Sequence, residues 1–407
     1  MRSCAVPLLL GALAVATAPA HADETRDRAL ALHHDSIVID GHNDVPTVIL
    51  DFGFDLGMDG AEDSDRGYWT YFFAPWLPGR PTGEQLRTDT DIARMRSGGL
   101  DASFFSIWVP PRHYDPARPD ITRARALAQI QAVREQVRLH PEDLGLAVRA
   151  GDVRRIAADG RIAVLLGLEG GHAFGSDLEL LRRYASLGVR YVSLTWSFSH
   201  EWADSSGDDG LHGGLTDFGR EVVRELNRLG VLVDVSHVSD ATFWDVMETA
   251  RTPVIASHSS ARALAPHARN LSDEMLLAVA ENGGVVMLNF GGIFLDARKT
   301  STLRLAWNWL VRCGNPTTVA MLADHAEHVA RVAGVDHVGI GSDYDGTLFM
   351  PEGMSDVAGI PELTVELARR GWSNSDLRKL LGENVLRVMA AAEEHARVSS
   401  LPESEKD

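Results

Sequence analysis

Lysine is nearly absent. Lys299, Lys379 and Lys406 are the only three in 407 residues, and every other basic residue is an arginine. None of the three lies at the end of a β-rich run, which excludes chemistry needing a lysine there, Schiff-base formation included. Cysteine is as scarce, with Cys4 and Cys313 alone. Long apolar runs are missing: the longest, near the N-terminus at 6–16, is shorter than the ~20 residues of a membrane-spanning helix. No repeat, low-complexity linker or clear domain boundary interrupts the chain. Basic charge is outweighed, 39 residues against 57 acidic ones, for a net charge of −18. That speaks against nucleic acid and anionic membrane surfaces as partners.

The N-terminus reads as a secretory leader. Arg2 precedes the apolar run, and Ala20-His21-Ala22 fits a small-x-small cleavage site. Residues 1–22 are therefore expected to be removed, leaving a periplasmic or secreted protein. Cys4 precedes the apolar run and is not placed for lipid attachment. After cleavage Cys313 stands alone, so no internal disulfide can form. Residues 23–397 read as one domain, and 398–407 as a disordered tail.

Eight short, β-rich apolar runs recur, at 36–41, 102–108, 162–168, 191–195, 231–236, 253–257, 284–290 and 337–342. They are continuous rather than alternating, as strands buried on both faces require. Helical patterns lie between them. Thr216 caps a stretch whose Val222, Val223 and Leu226 share a face and which Gly230 stops, while Ser239 and Ser272 are further N-caps. Eight strands alternating with helices predict an α/β fold, a (β/α)8 TIM-type barrel. Two stretches break the rhythm. Residues 51–87 are rich in glycine, aspartate and aromatics and read as a lid or surface excursion, and 198–214 are polar and glycine-rich.

Chemistry gathers at the strand ends. The first strand runs into His42 and Asp44, which as i and i+2 residues project to one side. The third ends at Glu169, with His172 three residues on. The fifth leads to His237, the sixth to His258 and the last to Asp343 and Asp345. In a parallel barrel these ends meet on one face, where active sites sit. A mixed histidine and carboxylate set suits zinc or a related divalent metal. Five ligands (His42, Asp44, Glu169, His237, His258) are too many for one tetrahedral catalytic zinc. They suit a pair of metals ~3.5–4 Å apart that activate water between them. With no lysine available for carbamylation, Glu169 is the natural bridge, and Asp343 is free to carry a proton. His172 fits a ligand role and a supporting role equally. His33, His34, His113 and His140 read as surface residues, and Asp324 with His328 as a surface or packing pair.

These pieces resemble a known family. Asp40-Gly41-His42-Asn43-Asp44, Gly167-Leu168-Glu169-Gly170-Gly171-His172, Val233-Asp234-Val235-Ser236-His237, Ser257-His258-Ser259-Ser260, Arg269-Asn270 and Gly341-Ser342-Asp343-Tyr344-Asp345-Gly346 are similar, in order, to the membrane (renal) dipeptidases. Those are zinc metallopeptidases on amidohydrolase-like barrels. The resemblance implies that His42, Asp44 and Glu169 bind one Zn2+ and Glu169, His237 and His258 a second. It implies that Arg269 holds the substrate α-carboxylate and that Asp343 shuttles the proton. The expected substrate is a dipeptide, with L-Xaa–D-Xaa peptides among the candidates. An amidase of N-acyl D-amino acids or a lactonase is the alternative on the same metals. The resemblance also makes a homodimer the candidate assembly. One position departs: where the family often has a histidine after Leu-Thr, this chain has Trp196, in Leu194-Thr195-Trp196. His200 is the candidate to reach in from the loop and replace it, the alternative being that the oxyanion rests on a metal alone, and Trp196 is counted with Arg269 and Asp343 among the substrate-binding residues.

Overall fold

The computed structural model describes residues 18–58, 87–299 and 316–401. Residues 1–17 of the expected leader, most of the 51–87 excursion, both cysteines and the end of the tail lie outside the described residues. Nine strands occur among them: β1 (Ile39–Asn43), β2 (Ala102–Trp108), β3 (Leu144–Leu146), β4 (Ile162–Glu169), β5 (Val189–Ser193), β6 (Leu232–Asp234), β7 (Ile255–Ala256), β8 (Val285–Leu288) and β9 (Val338–Ile340). All pairings are parallel. Eight strands close into a ring in the order β1-β2-β4-β5-β6-β7-β8-β9, and Asp40 pairs with Ile340 across the closing seam. This is the TIM-type barrel that the strand count predicts. β3 stands outside the ring, beside Ile162–Val164 at the start of β4. At three residues it is too short to carry a periodic signal.

Side-chain alternation divides the core in two. Ile39, Ala102, Phe104, Ala163, Leu165, Tyr191, Leu232, Ile255, Val285 and Met287 fill the barrel lumen. Val385, Leu386, Val388 and Met389 of the helix Asn384–Ser399 close its floor. The opposite parity, including Phe105, Ile107, Val164, Leu166, Val233 and Leu288, packs outward against the helices. Truncating a lumen residue such as Leu165 to alanine would cost roughly 2–5 kcal/mol.

The helices start and stop where their caps dictate. Thr216, Ser239 and Ser272 each accept a hydrogen bond from a backbone N–H in the first turn, and Gly230 ends the helix Asp217–Leu229 in the left-handed region. The polar 198–214 excursion is ordered around Asp204, whose carboxylate accepts from the backbone N–H groups of Leu211, His212, Gly213 and Gly214.

Candidate metal centre

The parity that fills the lumen with apolar residues also builds the site. Continued to the C-terminal ends of the strands, it puts Ser106 and Trp108 of β2, Glu169 of β4, Ser193 of β5, Asp234 of β6, Ser257 after β7 and Asn289 after β8 on the inner face. All five expected ligands are buried within it or at its rim: His42, Asp44, Glu169, His237 and His258. Asp44 caps the start of the helix Val45–Phe52.

Glu169 is the hub. Its Oε1 lies 2.9 Å from Nε2 of His237 and 3.7 Å from Nε2 of His258. Its Oε2 lies 3.5 Å from Nε2 of His42 and accepts from Ser106 at 2.9 Å. Nε2 of His42 is also 3.3 Å from Oδ2 of Asp44. Among the described residues, donor atoms converge closely in two groups, His42 with Glu169 and His258, and His42 with Asp44 and Asp343.

His42 and His258 are each aimed by their other nitrogen. Nδ1 of His42 meets the Tyr191 hydroxyl at 2.7 Å. A side chain at Gly167 would collide with that tyrosine ring, so the glycine makes this reach possible. Nδ1 of His258 meets Ser257 Oγ at 2.7 Å, and that hydroxyl donates to Asp234 at 2.6 Å. Asp40 plays the matching part on the other side, accepting from the Ser342 hydroxyl at 2.6 Å and its N–H at 2.7 Å. These supports were not singled out from the sequence, although the lumen phase of each strand points to them. His237 and Asp343 hold their positions with φ of 70° and 64°, a conformation that costs a non-glycine residue energy and recurs at functional sites.

The charges call for a cation. Burial opposes charge on His42, but Tyr191, Glu169 and Asp44 outweigh it and hold the imidazole well above its ordinary value. Burial alone would raise the Glu169 carboxyl, yet His42 and His237 reverse this and hold it well below the usual range. Burial, reinforced by Glu169, raises Asp44. Burial also raises Asp343, with Asp44 and Glu169 adding to it against His42. Burial and then Arg269 lower His237 to about 4, and burial and then His42 push His258 well down. Both are therefore neutral with a lone pair to give. Two donor atoms, Nε2 of His42 and Oδ1 of Asp44, are buried without a hydrogen-bond partner. Orphaned, inward-aimed nitrogen and oxygen donors beside surplus carboxylates fit a divalent metal.

The donors open onto a cavity of about 290 Å³, which Arg269, Asp343, Trp108, Trp196 and Phe294 also line. Arg269 is buried, and its hydrogen bonds are long and neutral, 3.4 Å to Ser259 Oγ and 3.3 Å to the His258 carbonyl. Its guanidinium lies 5.5 Å from the Phe294 ring centre. Asn289 donates to Oδ2 of Asp343 at 2.7 Å.

Several expected residues lie elsewhere. His200 does not reach the cavity: its Nε2 bonds the Leu194 carbonyl at 2.8 Å and its ring packs edge-on against Trp202. It is a buried packing residue and does not replace the family histidine. His172 likewise turns to the Val109 carbonyl, at 2.9 Å. His33 is no surface residue, being fully buried between Thr364 and the Gly98 carbonyl. Asp324 and His328 do not pair, since Arg370 takes the first and Asp273 the second. Asp345 lines the cavity and binds the backbone N–H of Asp89.

A closed parallel barrel with such a donor set at its C-terminal face defines a metal-dependent hydrolase. Residues 26–403 match the model of the membrane dipeptidase family, peptidase family M19. The chain belongs to that family and is a metallodipeptidase. It is 35% identical over 384 residues to Dipeptidase 3 of Rattus norvegicus, covering 93% of this chain and 70% of the relative. Among solved structures, the probable dipeptidase PvdM of Pseudomonas aeruginosa superposes with a TM-score of 0.79 at 25% identity, over 92% of this chain and all of that one. A metallopeptidase of Rhodobacter sphaeroides, solved with a phosphinate mimic of the dipeptide L-Ala-D-Ala, gives 0.69 at 29% identity, over 88% and 99%. No helix among the described residues is long and apolar enough to cross a membrane.

Proposed function

We propose that the chain, as a single catalytic domain over 23–397 exported by its leader, hydrolyses dipeptides with two zinc ions. His42, Asp44 and Glu169 would hold one, and Glu169, His237 and His258 the other. The observation that carries this reading is the division of Glu169, one oxygen toward His237 and His258 and the other toward His42. When bound, the pair supplies Lewis acidity that activates a water and polarises the scissile carbonyl.

The chain's own groups do the rest. Arg269 offers on the cavity wall a guanidinium fork held by two long neutral hydrogen bonds, matched to a free C-terminal carboxylate. Holding that end fixes the peptide bond over the donor set and selects dipeptides over longer chains. Asp343, steadied by Asn289, takes the proton of the attacking water and returns it to the leaving amine. Burial of the centre excludes bulk water and strengthens each of these interactions. The Rhodobacter relative's L-Ala-D-Ala mimic supports L-Xaa–D-Xaa peptides as substrates.

The test is hydrolysis of paired L-Xaa–L-Xaa and L-Xaa–D-Xaa dipeptides by zinc-loaded protein, with a chelated control and a panel of N-acyl amino acids and lactones. Zinc-dependent dipeptide cleavage is expected. Turnover confined to N-acyl amino acids or lactones would overturn the reading.

A further inference from the structure

Two tryptophans in the cavity remain unused by this reading. Trp108 ends β2 and Trp196 follows β5, their ring centres 5.1 Å apart. Trp196 is partly exposed, and its ring centre lies 6.2 Å from that of His237. Around the ring of eight, β2 and β5 flank β4. Arg269, Phe294 and Leu348 follow β7, β8 and β9, a group centred on β8, four strands from β4 in either direction. By strand order Trp108 on β2 stands opposite Arg269, which follows β7, and Trp196 after β5 stands two strands from it with His237, after β6, between them. The charged lining groups outside the ligand set, Arg269, Asp343 and Asp345, all come from the β7 and β9 side. The tryptophan side presents two indoles tilted 54° to each other, with no charged group outside the ligand set.

We infer that Trp108 and Trp196 form the subsite for the side chain on the amino side of the scissile bond, and that the preferred substrates carry a large apolar or aromatic residue there. The inference rests on the dipeptidase reading and extends it to a substrate class. With the carboxylate on Arg269 and the peptide bond over the donor set, the amino-side residue falls against the indoles. An apolar side chain there covers apolar surface, and an aromatic one adds ring contacts. A charged side chain would lose water and gain no partner.

The test compares L-Phe-, L-Leu-, L-Glu- and Gly-Xaa dipeptides of one fixed C-terminal residue, using the zinc-loaded full chain. The wild type is expected to show kcat/KM roughly tenfold higher or more for the Phe and Leu peptides than for the Gly and Glu peptides. Trp196→Ala should collapse that ratio toward one, Trp196→Phe should keep most of it, and Trp196→Gln should lose it at similar size. Metal content and Tm verify that each variant is folded. A wild type that cleaves these dipeptides without preference overturns the subsite alone, as does Trp196→Ala lowering every substrate by one factor. A wild type that cleaves none of them overturns the dipeptidase reading and the subsite together.

Discussion

The Tyr191 hydroxyl lies 2.7 Å from Nδ1 of His42, and this contact decides which nitrogen of the imidazole faces the centre. With Nδ1 engaged, Nε2 is left buried, unpartnered and directed at Asp44 and Glu169. A supporting hydrogen bond of this kind typically contributes 10–100-fold in metal affinity. Tyr191→Phe should therefore weaken one metal by about that factor while the barrel stays folded. Competition with a chromophoric chelator reads this directly, and unchanged affinity would show that the contact is incidental.

Glu169 touches both halves of the donor set, so its loss should be felt at both. Glu169→Gln keeps size but cannot give a charged oxygen to each side. Mass-spectrometric metal counting is expected to show at least one metal fewer per chain in the variant than in the wild type. Activity should drop by roughly 10³-fold or more, since the barrier then lacks the shared charge. Two tightly held metals in the variant would refute the bridging role.

Arg269 should matter only for substrates with a free carboxylate. Two charge-assisted hydrogen bonds of ~1.5–3 kcal/mol each imply a loss of roughly 10²–10⁴-fold in kcat/KM for Arg269→Met. The same change should hardly alter cleavage of the matching dipeptide amides. An equal loss on both would mean that the arginine merely supports the fold.

What the sequence displayed and what it hid divide along physical lines. The eight barrel strands were legible because both faces are buried, so each reads as an apolar run. β3 escaped because three residues pairing at one corner of β4 carry no pattern. The strand-end histidines and carboxylates stood out because charged groups abruptly follow apolar runs. The groups that aim them did not, since Ser106, Ser257 and Asn289 look like ordinary polar positions in the strand runs until the inward phase of each strand is fixed. His200 misled for the opposite reason. Its spacing allowed it to reach the cavity, but a backbone carbonyl six residues back captured it. Sequence distance does not reveal which way a loop folds.

Chelation should cost stability as well as activity. Without metal, Glu169, Asp44 and Asp343 confront one another in a buried site with His42 as the chief compensating charge. A ligand at 100 times its Kd adds ~2.7 kcal/mol, so zinc-loaded protein should unfold several degrees above the chelated form. Coincident Tm values would mean that no metal binds the folded state.

His33 supplies a pH dependence remote from the metal centre. Its ring is buried between the Thr364 hydroxyl and the Gly98 carbonyl, and burial lowers it to about 4, the Gly98 bond only partly opposing this. In the unfolded chain the same imidazole titrates near its ordinary value, ~6.5. Between these two values the unfolded state binds a proton that the folded state refuses, so stability rises with pH across that window. The contribution is fully present above about pH 6.5, is lost on acidification toward pH 4, and amounts to roughly 3 kcal/mol at most. His33→Gln abolishes the titration while keeping a side chain that can bond Gly98. At saturating zinc, the fall in unfolding free energy between pH 7 and 5 should be about 2 kcal/mol smaller in the variant than in the wild type. His325, lowered to about 4 by burial in the same way, titrates identically in both proteins and cancels from the comparison. Parallel pH profiles would show that His33 is protonated within the fold.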